Sequence, residues 1–428
     1  MPSWRAGVRL RGPLWENADF LRLWAGQTIS AFGSEVTELA LPLVAILVLD
    51  ASAFQVATLG VVIGLPWLFL SLPAGAWVDR LRRRPILIAA DWGRGALLLS
   101  IPIAYVLDVL TLAQLYTVGL LVGMLTVFFD VSYQSYLPSL VTREQLTDAN
   151  GKLEVSRTGA QTAGPAIAGG LVSLVTAPYA ILVDSLSFIA SALFLTRIRR
   201  QEPQVAGVSV HRARLRTEIA EGLRFTFRHP ILRSSIVYVT ISNFFTSAIF
   251  SIYLVFAVRD LDLSPATIGL IGSLGNIGLL AGAFTAPRLS LRFGVGPVLV
   301  GVAAGSGWSL LLIPLAGGDL VIPMLVGAAL GFGFSAVVYN VAAISLMQAI
   351  TPDRMLGRMT ATRRFIVFGI GPIGMLAGGA LGTTLGLRET IWIGAIGASV
   401  AFIALLPSPI PGIKTVEDAE RLVDVDLA

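Results

Sequence analysis

Polar and apolar positions alternate along this chain in long blocks. From residue 20 to residue 410, apolar runs of about 20 residues recur, each bounded by a short polar stretch. Such a run crosses a ~30 Å hydrocarbon core as one helix, because only a helix or a closed barrel satisfies its own backbone there. The blocks predict twelve spans: 20–49, 53–79, 85–108, 112–140, 153–176, 178–198, 232–258, 264–292, 296–316, 321–350, 361–387 and 389–410. The expected fold is therefore all-α and membrane-embedded. The stretch "MPSWRAGVRLRGPLWENADF" is polar and basic, so no cleaved signal peptide is expected and the first span stays as a helix.

Composition sharpens this picture. The chain is 55% hydrophobic and only 13% charged, and its mean hydropathy is +0.79; soluble domains carry about 25% charged residues. With no cysteine, disulfides and thiolate metal sites are excluded, and with only His211 and His229 a histidine-based metal centre is not expected. No cofactor is expected. No nucleophile triad or nucleotide-phosphate loop is present either, so an enzyme is not expected. The net charge of +5 could suggest nucleic acid. Its distribution argues otherwise: with the N-terminus in the cytoplasm, only Arg259 and Arg388 fall near the outer surface. The positive charge orients a multi-pass protein of the cell (inner) membrane, with both termini cytoplasmic and no nucleic-acid partner.

Six spans, a polar stretch from Arg197 to Pro230, and six more spans divide the chain. The halves resemble each other at an offset of about 210 residues: "LRLWAGQTIS" parallels "LRSSIVYVTI", "SAFQVATLG" parallels "SPATIGLIG", "LPSLVTREQL" parallels "LMQAITPDRM" and "GPAIAGG" parallels "GPIGMLAGG". We expect a duplicated six-helix unit. Its parts are an N-terminal bundle (1–198), a cytoplasmic linker (199–231), a C-terminal bundle (232–410) and a cytoplasmic tail (411–428). Within the linker, "RTEIAEGLRFTF" suggests an amphipathic helix, since Ile219, Leu223 and Phe227 recur every four residues.

Two six-helix repeats joined by a cytoplasmic linker resemble the major facilitator superfamily. "GAWVDRLRRRP" is similar to that superfamily's signature between helices 2 and 3, with Gly75, Asp79, Arg80, Arg83 and Arg84 at its positions. "NADFLRLWAGQTIS", "ADWGR", "FFDVSYQSYLPSLV", "DANGKLEVSR" and "VDSLSF" resemble the drug:proton antiporter branch that includes macrolide and enterobactin exporters. The resemblance implies that Asp79 is a latch held against the start of helix 11, with Gly75 permitting close helix approach. The second copy reads "PRLSLRFGVGP", without the acid, so the contact is expected to be asymmetric and state-dependent. Asp130 is a candidate partner for Arg83, and Asp91 with Arg94 forms an i,i+3 pair. "GAQTAGPAIAGG" carries Gly164, Pro165, Gly169 and Gly170, and resembles the antiporter signature with one extra residue. Close packing of helices explains the same residues.

Glu35 and Glu38 fall midway through helix 1, three residues apart on one face. Ionisable groups at that depth are rare and mark substrate or proton paths. Two acids on one turn repel if both ionise, so the pair is expected to carry a proton. Asp184 is the second proton-coupling candidate. For the substrate, Gln27, Tyr133, Gln134, Asn243, Phe244, Phe245, Tyr253, Asn276, Tyr339 and Asn340 lie on central faces. Aromatic rings mixed with amides suit a small amphipathic organic molecule. No basic residue is expected at mid-membrane in the second half. The chain thus reads as a monomeric transporter in the lipid bilayer that exports amphipathic compounds such as drugs, antibiotics or siderophore-like molecules in exchange for protons. The rivals are a lipid or lysolipid flippase on the same fold and a non-transporting receptor or scaffold.

Overall fold

The computed structural model describes residues 13–78, 80–200, 202, 223–415 and 417–418. Twelve long helices run through them: α1 (Ala18–Leu47), α2 (Ala53–Val78), α3 (Arg83–Val106), α4 (Leu112–Leu140), α5 (Leu146–Val175), α6 (Ala177–Thr196), α7 (Pro230–Arg259), α8 (Pro265–Phe293), α9 (Val295–Leu310), α10 (Val321–Ile350), α11 (Asp353–Thr384) and α12 (Leu387–Val400). A side-chain oxygen of the residue just before the helix caps four of them: Asn17 accepts from the Phe20 N–H, Ser52 from that of Gln55, Thr111 from that of Gln114 and Ser264 from that of Thr267. These bonds satisfy backbone donors that a helix start leaves open.

Eleven spans are long and apolar enough to cross a membrane by themselves. The exception is α5, whose first half "LTDANGKLEVSR" is polar. It is nevertheless held between α1 and α8. Both α5 and α11 start a turn or two before their predicted edges at 153 and 361, because their first turns are polar and lie outside the apolar run.

The duplication is written into the backbone. Left-handed residues occur at Asp50 and Asp262, at Asp108 and Gly318, and at Thr176 and Gly386. Each pair is separated by the sequence offset of about 210 and closes the same turn in the two halves. Asp50, Asp108, Thr176 and Asp262 hold this conformation without being glycine, which L-residues other than Asn and Asp rarely do. Packing repeats as well: α1 lies on α5 and α6, and α3 on α4 and α6, as α7 lies on α11 and α12, and α9 on α10 and α12. The halves are two six-helix bundles. Across the divide α5 packs on α8 and α2 on α11, again a matched pair.

Residues 223–228 are helical and turn at His229 into α7. The rest of the amphipathic segment predicted for the linker lies outside the described residues. Beyond α12 the chain returns to α9, where the Val295 and Gly296 N–H groups donate to the carbonyls of Lys414 and Ile413 at 3.1 and 2.8 Å.

Candidate functional site

Helix α1 has a different neighbour on each side. Gly26 and Gly33 lie against α6, where an added Cβ would press on Ser191 or on Asp184 and Ser187. Trp24 and Thr28 hydrogen-bond the Ser156 hydroxyl of α5, both at 2.9 Å. Ile29, Phe32 and Val36 border an apolar groove of about 470 Å³ between α1, α5 and α6. Glu38 is about two and a half turns from Ile29, hence on the opposite side of the helix. It is exposed, and its neighbour Leu39 borders a cavity lined by residues of α7 and α8. Gln27, about three turns earlier, shares that side. Glu35 is half-buried and leans on Gly164 of α5, which has room for it only because it lacks a side chain. Among the described residues neither glutamate has an ion pair. Arg157 of α5 comes within electrostatic reach of Glu35, but its guanidinium is engaged by Glu154 at 2.9 Å and Gln161 at 3.1 Å.

A second charged group is sealed inside the N-terminal bundle. Asp91, Arg94 and Asp184 are 0%, 4% and 1% exposed. Arg94 donates to Asp91, and its guanidinium lies between the rings of Phe129 and Phe188, 4.3 and 4.1 Å from their centroids. Cation–π contact on both faces replaces water around a desolvated charge. Asp184 accepts from the Ser187 hydroxyl at 2.9 Å. Asp130, expected beside Arg83, instead lies within electrostatic reach of Arg94. One guanidinium therefore faces three carboxyl groups. Arg83 has a different partner: Glu202, at 3.1 Å, which also accepts from the Arg83 backbone at the start of α3. The reason is local, since the chain leaving α6 passes directly over that helix start.

The α2–α3 arginines thus tie the N-terminal half to itself. Arg84 donates to the Leu195 and Thr196 carbonyls at the end of α6, and Arg80 is exposed. Gly75 was expected to admit a close helix, but an added Cβ there meets nothing within 4 Å. Asp79 lies outside the described residues. At the opposite end of the molecule the halves do meet. Arg259 donates to Asp50 at 2.6 Å. Gly169 of α5 and Gly269 of α8 abut backbone to backbone, each against the other helix's proline carbonyl, Pro265 or Pro165. Gly170 has open space around it. Asn276, expected to contact ligand, donates instead to the Gln161 carbonyl and so joins α8 to α5.

In the C-terminal bundle a half-open cavity of about 380 Å³ lies between α7, α10 and α11. It gathers Asn243, Tyr339 and Asn340 from the expected substrate set. It also contains Arg363, a cation nearly three turns inside α11 that the expected substrate set did not include. The sequence signal was present in "TATRRF", but a helix start placed at 361 puts that arginine at the membrane edge. The Arg363 side chain donates to the Asn340 carbonyl oxygen at 2.9 Å. Tyr238 and Tyr339 pack with ring centroids 4.6 Å apart. The other expected ligand residues are dispersed. Tyr253 borders a separate apolar cavity with Phe250 and Pro165, and Phe245 fills the space over Gly397 with Phe244 edge-on beside it. Tyr133 stacks on Phe129 within the core, and Gln134 is exposed.

Comparison with known proteins adds the following. A family model described as transmembrane secretion effector matches residues 12–425. The multidrug efflux pump Tap of Mycolicibacterium fortuitum is 26% identical over 430 residues, covering 98% of each chain. A bacterial homologue of the iron transporter ferroportin, in its inward-facing state, superposes with a TM-score of 0.75 at 17% identity, over 93% of this chain and 99% of that one. The outward-facing form of such a homologue gives 0.55 at 17% identity, over 91% and 98%.

Proposed function

Because the chain belongs to the transmembrane secretion effector family of major facilitator transporters, we propose that it exports amphipathic organic compounds in exchange for protons, exposing one central site to each side of the membrane in turn. The observation that carries this reading is Glu38, an exposed carboxyl with no ion-pair partner among the described residues, on the side of α1 opposite the groove at Ile29. A charge there is costly unless it is paired or transiently neutralised by a proton. Glu35 on the adjacent turn opposes ionisation of both, and the Asp91–Arg94–Asp184–Asp130 group, with one guanidinium for three carboxyls, is a second place where protons balance charge. Proton and cargo compete for the same neutral or charged form of Glu38, and linkage makes that competition reciprocal.

Alternating access is supported by where the bundles touch. Gly169 with Gly269, Asp50 with Arg259, and Ala53 with Gly382 all lie at one end. At the linker end Gly75 has no neighbour. We take the linker end as cytoplasmic from the distribution of positive charge, so this is the inward-open form, with residues 1–198 and 232–410 as the moving bodies. In the outward-open form Asp79 would latch onto the start of α11. The efflux of drugs by Tap, similar along its whole length, supports the direction and cargo class.

One observation favours lipid as cargo: the groove at Ile29, Phe32 and Val36 also includes the exposed Ile167, Val183 and Leu186, an apolar opening towards the bilayer. Proteoliposomes decide between these readings. With an imposed pH gradient, uptake of a cationic amphipathic dye into inside-out vesicles should follow the gradient and collapse when it is dissipated. Dye movement indifferent to pH, alongside redistribution of a fluorescent lysolipid, would replace drug export with lipid flipping.

A further inference from the structure

The cavity in the C-terminal bundle is built to receive negative charge. Arg363 has no carboxylate partner among the described residues, and its one hydrogen bond goes to the Asn340 carbonyl oxygen. A guanidinium can only donate, so this bond fixes the Asn340 amide: its oxygen turns to Arg363 and its NH2 is left for the cavity. Arg363 and Asn340 together therefore offer N–H donors and no acceptor. Beside them the Tyr238–Tyr339 pair and Val337 supply an apolar wall. A packing arginine looks different here. Arg94 is bonded to Asp91 and covered on both faces by rings, whereas Arg363 is half-buried and borders open volume.

We propose that Arg363 and Asn340 form an anion-reading subsite, and that the preferred cargo is an amphipathic compound carrying a carboxylate beside an aromatic or aliphatic body. Guanidinium donors match the planar, two-oxygen shape of a carboxylate. A volume of about 380 Å³ lies in the range of small drug-like ligands. If the export path also passes Glu38 of the other bundle, it would have an acidic and a cationic side, so a zwitterionic amphiphile would find a counter-charge on each. This deepens the export reading and rests on the cargo site lying between the bundles.

The test uses the full chain in lipid nanodiscs and two dyes that share one aromatic core, rhodamine 110 with a free carboxyl and rhodamine 123, its methyl ester. Fluorescence anisotropy at fixed neutral pH should find the carboxylate dye bound about tenfold more tightly than the ester, the scale of one hydrogen bond to a charged group. Arg363→Gln should bring the two within about twofold of each other, chiefly by weakening the carboxylate dye. Arg363→Lys should keep part of the preference, and Asn340→Asp should reverse it. A wild type that binds neither dye, or binds both equally, overturns the proposal. So does Arg363→Gln weakening both dyes alike, which would mean that Arg363 only braces α11 against α10. Since binding is read without a gradient, loss of pH-driven transport with the preference intact would end the proton reading and leave this one standing. Transport that stays pH-driven with no preference would do the converse.

Discussion

At the scale of single residues, what decides a charged group's role is whether the protein completes its surroundings. Arg94 and Asp91 are bonded to each other, sealed and ring-covered, so removing one strands the other. Arg94→Leu should cost about 3–5 kcal/mol of stability, the usual penalty for an orphaned buried charge, read as a large drop in melting temperature in detergent. Replacing both with apolar residues should recover most of it, and a double variant as unstable as the single would show that the pair is not the cause. Glu38 is the opposite case, with its surroundings left incomplete. Glu38→Gln should leave expression and binding of a neutral amphipathic dye nearly unchanged while abolishing pH-driven efflux, with dye still equilibrating down its own gradient. If pH-driven efflux survives in the double Glu35→Gln, Glu38→Gln variant, coupling moves to the Asp91–Arg94–Asp184–Asp130 group. The glutamates could be read from the sequence because acids inside an apolar run are conspicuous. Arg363 was not, because a charge close to a polar segment is indistinguishable from a membrane-edge anchor until the helix start is known.

At the scale of helices, hydropathy reports the membrane and not the helix. It located all twelve long helices, yet set the starts of α5 and α11 too late, since their first turns extend past the apolar run. Small residues were legible as close-packing signals without revealing their partners. Gly169 meets Gly269 across the divide, Gly164 makes room for Glu35, and Gly75 meets nothing in this form. These differences make distinct predictions. Gly169→Leu should block the approach of α5 to α8, where Pro265 and Gly269 leave no room for a Cβ, and should reduce transport at least tenfold by preventing closure at that end; a Leu variant with normal transport would mean that the two helices part freely. At Gly75 an added Cβ meets nothing within 4 Å, so Gly75→Leu should leave melting temperature unchanged, and if the proposed latched form brings a helix against it, transport should still slow. Asp79→Asn belongs with it. Loss of its contact to the helix start, worth about 0.3–2 kcal/mol, should shift the population towards the inward-open form without loss of dye binding. Spin-label distances across the linker end that do not change would rule the latch out.

At the scale of the whole molecule, the duplication was legible as paired motifs, and the matched left-handed turns give it a physical form. The end at which the bundles meet was not legible, because close-packing residues announce a contact without naming its partner. Under the proposed alternating access the contacts at one end break during every cycle, and the absence of cysteine makes this directly testable on an otherwise native background. Ala53 on α2 and Gly382 on α11 face each other across the divide, and a Cβ at Gly382 would lie 3.4 Å from that of Ala53. That separation is close to the Cβ–Cβ spacing of about 3.5–4.5 Å that a disulfide requires. An Ala53→Cys, Gly382→Cys pair should oxidise readily in the resting protein and fuse α2 to α11 at the end where the bundles touch. If the two bundles rock about a central site, the cross-linked protein can still bind dye from the open side but cannot release it across the membrane. Transport should stop on oxidation and return on reduction, while each single cysteine variant remains active throughout. Full transport by the cross-linked protein would mean that these helix ends never separate, and alternating exposure of one site would have to be abandoned for this chain.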